Sequence, residues 1–246
     1  MYRPVLAALL LVCLLLPGLP RSAPAQTPAY RVLVFSRTTG FRHDSIPDAV
    51  AAIQRLGADN GFAVDATEDP SAFSDANLAG YQAVVFALTT GDVLDGGGRA
   101  AFERYIRAGG GYVGIHSASD TEYDWPWYGE LMGAYFDSHP DIQAASLISE
   151  DPSQPDAWVR TDEWYNFRPN PRPSVQVFLR LDESSYRGGS MGEDHPVAWY
   201  HAFDGGRAWY TGMGHTRETY REPRFMRHLL AGIEYAAGVS PTPGAR

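Results

Sequence analysis

The sequence predicts an α/β fold in which a mostly parallel sheet flanked by helices leads into a β-rich C-terminal part. Three observations carry this. The runs Val32-Leu33-Val34-Phe35 and Ala83-Val84-Val85-Phe86-Ala87-Leu88 contain no polar residue, as strands buried on both faces require. Segments of helical periodicity lie between such runs. The chain of 246 residues, 44% hydrophobic and 20% charged, has the size and balance of one packed domain, which excludes disordered, collagen-like and coiled-coil architectures.

The elements follow in order. After the first strand and the loop 36–44, Ser45 is placed as an N-cap, with Pro47 in the first turn and Asp48 set for a capping box. Val50, Ile53 and Leu56 form the apolar face of that helix and Gly61 ends it. A second strand covers 62–66 and a third 83–88. A helix over 96–108 turns Phe102, Tyr105 and Ile106 to one side and stops at Gly109-Gly110-Gly111. The fourth strand, 112–115, runs into His116-Ser117-Ala118-Ser119-Asp120, where a sharp turn and then a helix are expected. A further helix is expected over 127–136. Strands follow over 142–149, 175–181, 197–203 and 208–211, the last two forming a hairpin around Asp204-Gly205-Gly206. Pro223 opens a closing helix with Phe225, Met226, Leu229, Leu230 and Ile233 inward and Gly238 at its end. The stretch 151–173, rich in proline, reads as the longest irregular loop. It carries Trp158, Trp164, Tyr165 and Phe167, too many aromatics to leave in water, and a loop of that length is usually functional.

Residues 1–25 have the form of a secretory signal peptide: Arg3, an apolar stretch over 5–16, and a small-residue cleavage site at Ala23-Pro24-Ala25. The apolar stretch is too short for a hydrocarbon core that needs about 20 residues. Cleavage after Ala25 would export the protein to the periplasm or the extracellular space with no membrane span. Residues 26–30 then lead into a single domain over 31–238, followed by a tail at 239–246. All 20 basic residues are arginine, so no Schiff-base, pyridoxal-phosphate or P-loop lysine exists. Cys13 is the only cysteine and leaves with the leader, so the mature chain has no thiol nucleophile, disulfide or thiolate metal site. The formal net charge of −9 becomes more negative still once Arg3 and Arg21 are removed, which argues against nucleic-acid and anionic-lipid partners.

In an open parallel sheet a ligand sits at the carboxyl ends of the strands. That rule selects three loops: Thr38-Thr39-Gly40-Phe41-Arg42-His43-Asp44, Thr89-Thr90-Gly91-Asp92 and His116-Ser117-Ala118-Ser119-Asp120. The third has the strand-to-turn setting of a nucleophile elbow with His116 at its tip and Ser117 next, although the spacing is not that of a serine hydrolase. His43, His116, His195 and His215 all fall at strand-loop junctions and are functional candidates. His139 is a loop residue within reach of a site. His201 reads as structural, and His228 as a surface or capping residue. Asp120 and Glu163 supply carboxylates, and an aromatic wall around Glu163 would raise its pKa towards general-acid use. Histidine and carboxylate ligands without cysteine suit zinc or manganese, but no H-E-x-x-H spacing occurs, so such a site would be assembled from distant loops.

Five motifs together resemble the ThuA-like family, named for trehalose utilisation. They are Val34-Phe35-Ser36 with Thr39-Gly40-Phe41-Arg42-His43; the glycine run from Gly109 through Gly114-Ile115-His116-Ser117-Ala118-Ser119-Asp120; Asp162-Glu163-Trp164-Tyr165-Asn166-Phe167; His195-Pro196-Val197-Ala198-Trp199; and Gly206-Arg207 through Tyr210-Thr211-Gly212-Met213-Gly214-His215-Thr216. The resemblance implies a flavodoxin-like, class I glutamine amidotransferase-like fold. It implies no glutaminase, because His116 stands where those enzymes carry the elbow cysteine. It implies instead a role in disaccharide or keto-sugar breakdown, with a small carbohydrate as substrate and a separate sugar oxidoreductase as partner.

The reading that follows is a carbohydrate-processing enzyme that cleaves or isomerises a glycoside or keto-sugar by acid/base chemistry. His116 or Glu163 would be the base, His215 or Asp120 the acid, and the Ser117 region or a metal would stabilise an enolate. His43, Ser117, Asn166 and His195 would bind substrate, and Trp164, Tyr165, Trp199 and Tyr210 would form sugar-contacting walls. The alternatives are a non-catalytic carbohydrate-binding or sensing protein and a metal-dependent hydrolase of another substrate.

Overall fold

The structure, a computed structural model, describes residues 28–152 and 157–243. The expected leader, 1–25, lies outside the described residues. Strand β1 (Arg31–Phe35) buries four of its five side chains, and helix α1 (Ile46–Asn60) returns to strand β2 (Ala63–Thr67) through Gly61, whose φ of 76° closes the helix. The expected capping box does not form. Ser45 Oγ instead donates to the Gly214 carbonyl at 3.1 Å, and Asp48 pairs with Arg217 at 2.8 Å, so both tie α1 to the far end of the chain. The short helix α2 (Asp75–Leu78) precedes the wholly buried β3 (Ala83–Ala87). Helix α3 (Gly96–Arg107) is capped by Asp95, which accepts the Gly98 N–H at 2.7 Å, and leads into the wholly buried β4 (Gly111–Ile115).

After β4 the chain makes a 3₁₀ turn over His116–Asp120, not the expected α-helix. The helix expected over 127–136 is also shorter: α4 (Pro126–Met132) ends at Gly133, with φ 96°, and strand β5 (Tyr135–Ser138) follows. Strand β6 (Gln143–Ser149) comes next. The expected irregular loop contains two strands, β7 (Trp158–Asp162) and β8 (Asn166–Arg168). Its period-two burial is disguised in sequence because two of the inward residues of β7, Arg160 and Asp162, are charged and pair with each other at 3.3 Å. Strands β9 (Gln176–Asp182), β10 (His195–Phe203) and β11 (Gly206–Thr211) and helix α5 (Pro223–Ala236) complete the order.

Nine strands form one sheet in the order β2-β1-β3-β4-β11-β10-β9-β6-β7, and β5 pairs with β8 separately. The first five are parallel, a flavodoxin-like order with β11 in fifth place, and the last four are joined antiparallel. Alternate side chains go to opposite layers. Val32, Val34, Val85 and Val113 meet α1 and α5, while Leu33, Phe35, Phe86 and Tyr112 meet α2, α3 and α4. Each such apolar side chain removed from water contributes roughly 1.5–3 kcal/mol. Gly111 lets α5 lie directly on β4, because a Cβ there would collide with the Ala236 backbone. With both faces covered, the loops at the carboxyl ends of β1, β3 and β4 are free to converge. Isolated bridges Thr38–Thr90 and Gly91–Thr121 zip them together.

Candidate functional site

His116 sits at the tip of the turn after β4 with φ 51°, a left-handed conformation that costs a non-glycine residue on the order of 1–3 kcal/mol. Its surroundings hold it there. The His116 carbonyl accepts the Tyr210 hydroxyl at 2.8 Å and the Ser119 hydroxyl at 3.2 Å, and the ring Nδ1 lies 2.8 Å from the Gly212 carbonyl. A carbonyl only accepts, so Nδ1 carries a proton and Nε2 faces inward. Nε2 lies 3.4 Å from Glu163 Oε2 and 3.3 Å from His215 Nδ1.

Glu163 comes from the short connection between β7 and β8, His215 from the loop after β11, and His43 from the loop after β1. Glu163 Oε2 is 3.0 Å from His215 Nδ1, and Oε1 is 3.2 Å from His139 Nδ1 at the mouth of the site. The buried His43 ring packs edge-on against His116 and His215, and its Nδ1 is 3.4 Å from Ser117 Oγ. One ligand atom each from His43, His116, Glu163 and His215 lies within 4.8 Å of all the others.

Asp162 locks two of these residues in place. Its carboxylate, fully buried, accepts the backbone N–H of Glu163, Gly214 and His215, each at 3.0 Å, and the Thr219 hydroxyl at 3.3 Å. Gly214, with φ 130°, is the hinge that turns His215 inward, and a Cβ there would press on the Tyr220 hydroxyl at 2.7 Å.

The electrostatics separate the carboxylates. Burial pulls the Glu163 carboxyl up, but hydrogen bonds and charge attraction from His116 and His215 outweigh it and hold the group below the usual carboxylate range. Reciprocally, burial lowers the His215 ring, while Glu163 more than offsets this and raises it. His43 is pushed down to about 2, first by burial and then by the neighbouring His116 and His215, so it stays neutral. Asp120 moves the other way: burial raises it, against a 2.7 Å hydrogen bond from the Tyr123 hydroxyl. Burial thus holds a proton on Asp120 more readily than on Glu163.

A sequence model of the ThuA family, described as trehalose utilisation, matches residues 31–236. The chain belongs to the ThuA family. Membership points to a carbohydrate-related role. The chain is similar in structure to a ThuA-like protein from Bacteroides uniformis, with TM-score 0.71 and 24% identity over 89% of this chain and 95% of that one. It is also similar to one from Parabacteroides merdae, with TM-score 0.72 and 20% identity over 87% and 91% of the two chains. A β-galactosidase from Bacillus circulans sp. alkalophilus shares the fold at TM-score 0.55 and 13% identity, over 85% of this chain but 31% of that one. No curated protein matches the sequence.

In this ThuA family member His43, His116, Glu163 and His215 come together as one cluster, with Ser117 against His43. Asp120 is near enough for its charge to act on His116 and His139. Tyr165 lines the site, its ring 4.2 Å from the His116 ring. Five other residues expected to contact substrate are packed into the interior. Trp164 is fully buried, with its indole N–H on the Gln143 carbonyl, and Trp199 is buried on the Met132 carbonyl. Tyr210 is buried and supports the His116 backbone. His195 is buried with Nε2 donating to the Tyr165 carbonyl at 2.8 Å and Nδ1 against Glu183 at 2.7 Å, so it positions Tyr165 from behind. Asn166 is also buried, holding Ser138, Gly188 and Ser190 around the β8 entry. These groups are packed because an indole, a phenol or an imidazole fills a core once its polar atom is satisfied.

Three other aromatics touch the cluster or its neighbours. Phe41, 65% exposed, stands beside His43; Phe136 packs on Tyr165; and Tyr123, 39% exposed, holds Asp120. Phe41 lies in the same strand-end loop that singles out His43, so the rule that found the histidine extends to its neighbour.

Proposed function

We propose that this chain is an exported carbohydrate-processing enzyme that acts on a keto-glycoside by proton transfer at the His116–Glu163–His215 centre. The carrying observation is that one buried carboxylate, Glu163, gathers three histidines, His116, His139 and His215, at the carboxyl ends of the parallel strands. Family membership supports the carbohydrate class, and the exposed Phe41 and Tyr123 offer faces on which a sugar ring can stack.

A ketone at C3 acidifies the C2–H bond. A base removes that proton, the electron pair forms the C1=C2 double bond, and the C1–O bond breaks. The leaving oxygen takes up one proton, so the proton removed at C2 is balanced by the one delivered. Water adding to the product double bond completes a net hydrolysis. Asp120, raised by burial, is suited to one of the two proton transfers, and His215, raised by Glu163, would donate to the oxygen that becomes the enolate.

The test is incubation of the mature chain with a panel of glycosides and their 3-keto forms, with sugar release followed by chromatography. Release from keto forms alone, lost on Glu163→Gln in a chain that melts normally, is expected. Binding of sugar without turnover would overturn the enzyme reading in favour of a carbohydrate-binding protein.

A further inference from the structure

We propose that His43, His116, Glu163 and His215 bind a single divalent transition-metal ion, zinc or manganese. In its catalytic meaning this rests on the reading above, because the ion would stabilise the enolate oxygen; the site itself stands on geometry.

Three features of the geometry point there. Four ligand atoms from four separate loops lie within 4.8 Å of one another. Three of their separations are 3.0 Å from Glu163 Oε2 to His215 Nδ1, 3.3 Å from His215 Nδ1 to His116 Nε2, and 3.4 Å from His116 Nε2 to Glu163 Oε2. Ligands about 2.0–2.1 Å from a tetrahedral zinc ion are about 3.3 Å from each other, so this triangle has the edge length of a coordination polyhedron. Second, the Gly212 carbonyl holds a His116 proton on Nδ1, which turns Nε2 towards a carboxylate oxygen. A nitrogen and a carboxylate oxygen facing each other in a buried site need a positive centre between them, which a metal ion supplies.

Third, the supporting shell is of the kind metal ligands have. The Gly212 carbonyl orients His116, Ser117 orients His43, and Asp162 fixes the backbones of Glu163 and His215. Three imidazoles with one carboxylate and no thiolate suit zinc or manganese over a soft monovalent ion. The side chains of His139 and His215 are 42% and 21% exposed, so substrate can approach the ion from that side.

The competing account is a proton shared within the histidine–carboxylate cluster and no ion. The experiment strips the purified mature chain with chelator and titrates it with zinc chloride and separately with manganese chloride. Bound metal is read by elemental analysis and calorimetry, and folding by circular dichroism. One equivalent per chain is expected, with affinity lowered at least about tenfold in His43→Ala and in His215→Ala. His139→Ala should keep the ion. If the stripped, folded chain takes up neither ion stoichiometrically, or if the two histidine variants bind as the wild type does, the site is refuted. Because binding is read without substrate, the two proposals fail separately. A metal-loaded chain that leaves every keto-glycoside intact sinks the reaction and not the site, whereas a chain that cleaves keto-glycosides but takes up neither ion sinks the site and not the reaction.

Discussion

His116 and His215 were legible because each stands at an expected strand-loop junction, and Glu163 because it is a carboxylate among the aromatics of the stretch 151–173. Their burial partners were not legible. Asp162 is adjacent to Glu163 in sequence, yet nothing local reveals that its carboxylate gathers three backbone N–H groups from two loops. His228 shows the same limit. It reads as a surface residue, but its ring lies among Trp158, Phe178, Trp209 and Phe225, with Nε2 on the Thr211 hydroxyl at 3.0 Å. Burial, with the charges of Arg160 and Arg224, pushes it down from 6.5 to about 3. The unfolded ring binds a proton throughout that interval and the folded ring does not. The stability His228 contributes is therefore complete above 6.5 and is lost as pH falls towards about 3. His228→Gln should narrow the drop in melting temperature between about pH 7 and about pH 4, as measured by scanning calorimetry. An unchanged drop would mean that another group sets the acid limb.

Among the elements, β1, β3 and β4 were readable because strands buried on both faces must be apolar. The element edges that failed share one cause, a tertiary contact replacing a local signal. Ser45 bonds Gly214 in place of its own helix, and α4 stops short because the residues after Gly133 pair with β8. Helix α5 illustrates how tightly the layers are set. Gly232 faces the Trp209 ring, and a Cβ would enter that ring's van der Waals space. Replacing a mid-helix glycine by alanine gains about 1 kcal/mol in propensity. Overpacking a rigid indole costs about 1–3 kcal/mol, so the clash wins. Gly232→Ala is expected to lower the urea midpoint; a midpoint raised by the substitution would show that α5 can lift from the sheet at little cost.

At the scale of the whole molecule, the candidate site is built across the junction of two sheet halves. The parallel half supplies His43, His116 and His215 from the loops after β1, β4 and β11, and the antiparallel half supplies Glu163 from the end of β7. The strand-end rule anticipates His43 and His116, since it depends only on the order of strands, and His215 is anticipated by its place at a strand-loop junction. The contribution of the antiparallel half depends on how β6, β7 and β9 pair, a long-range register that no local pattern encodes, and this is why Glu163 was legible as a candidate but its meeting with the histidines was not. The cluster itself is mostly buried and reaches solvent through His215 and the neighbouring His139.

The most direct measurement is the fate of the C2 hydrogen of a 3-keto-glycoside incubated with the wild-type chain in deuterated water. Deuterium at C2 of the released sugar, absent with Glu163→Gln, is the expected result. Cleavage that leaves the C2 hydrogen in place would contradict proton abstraction at this centre.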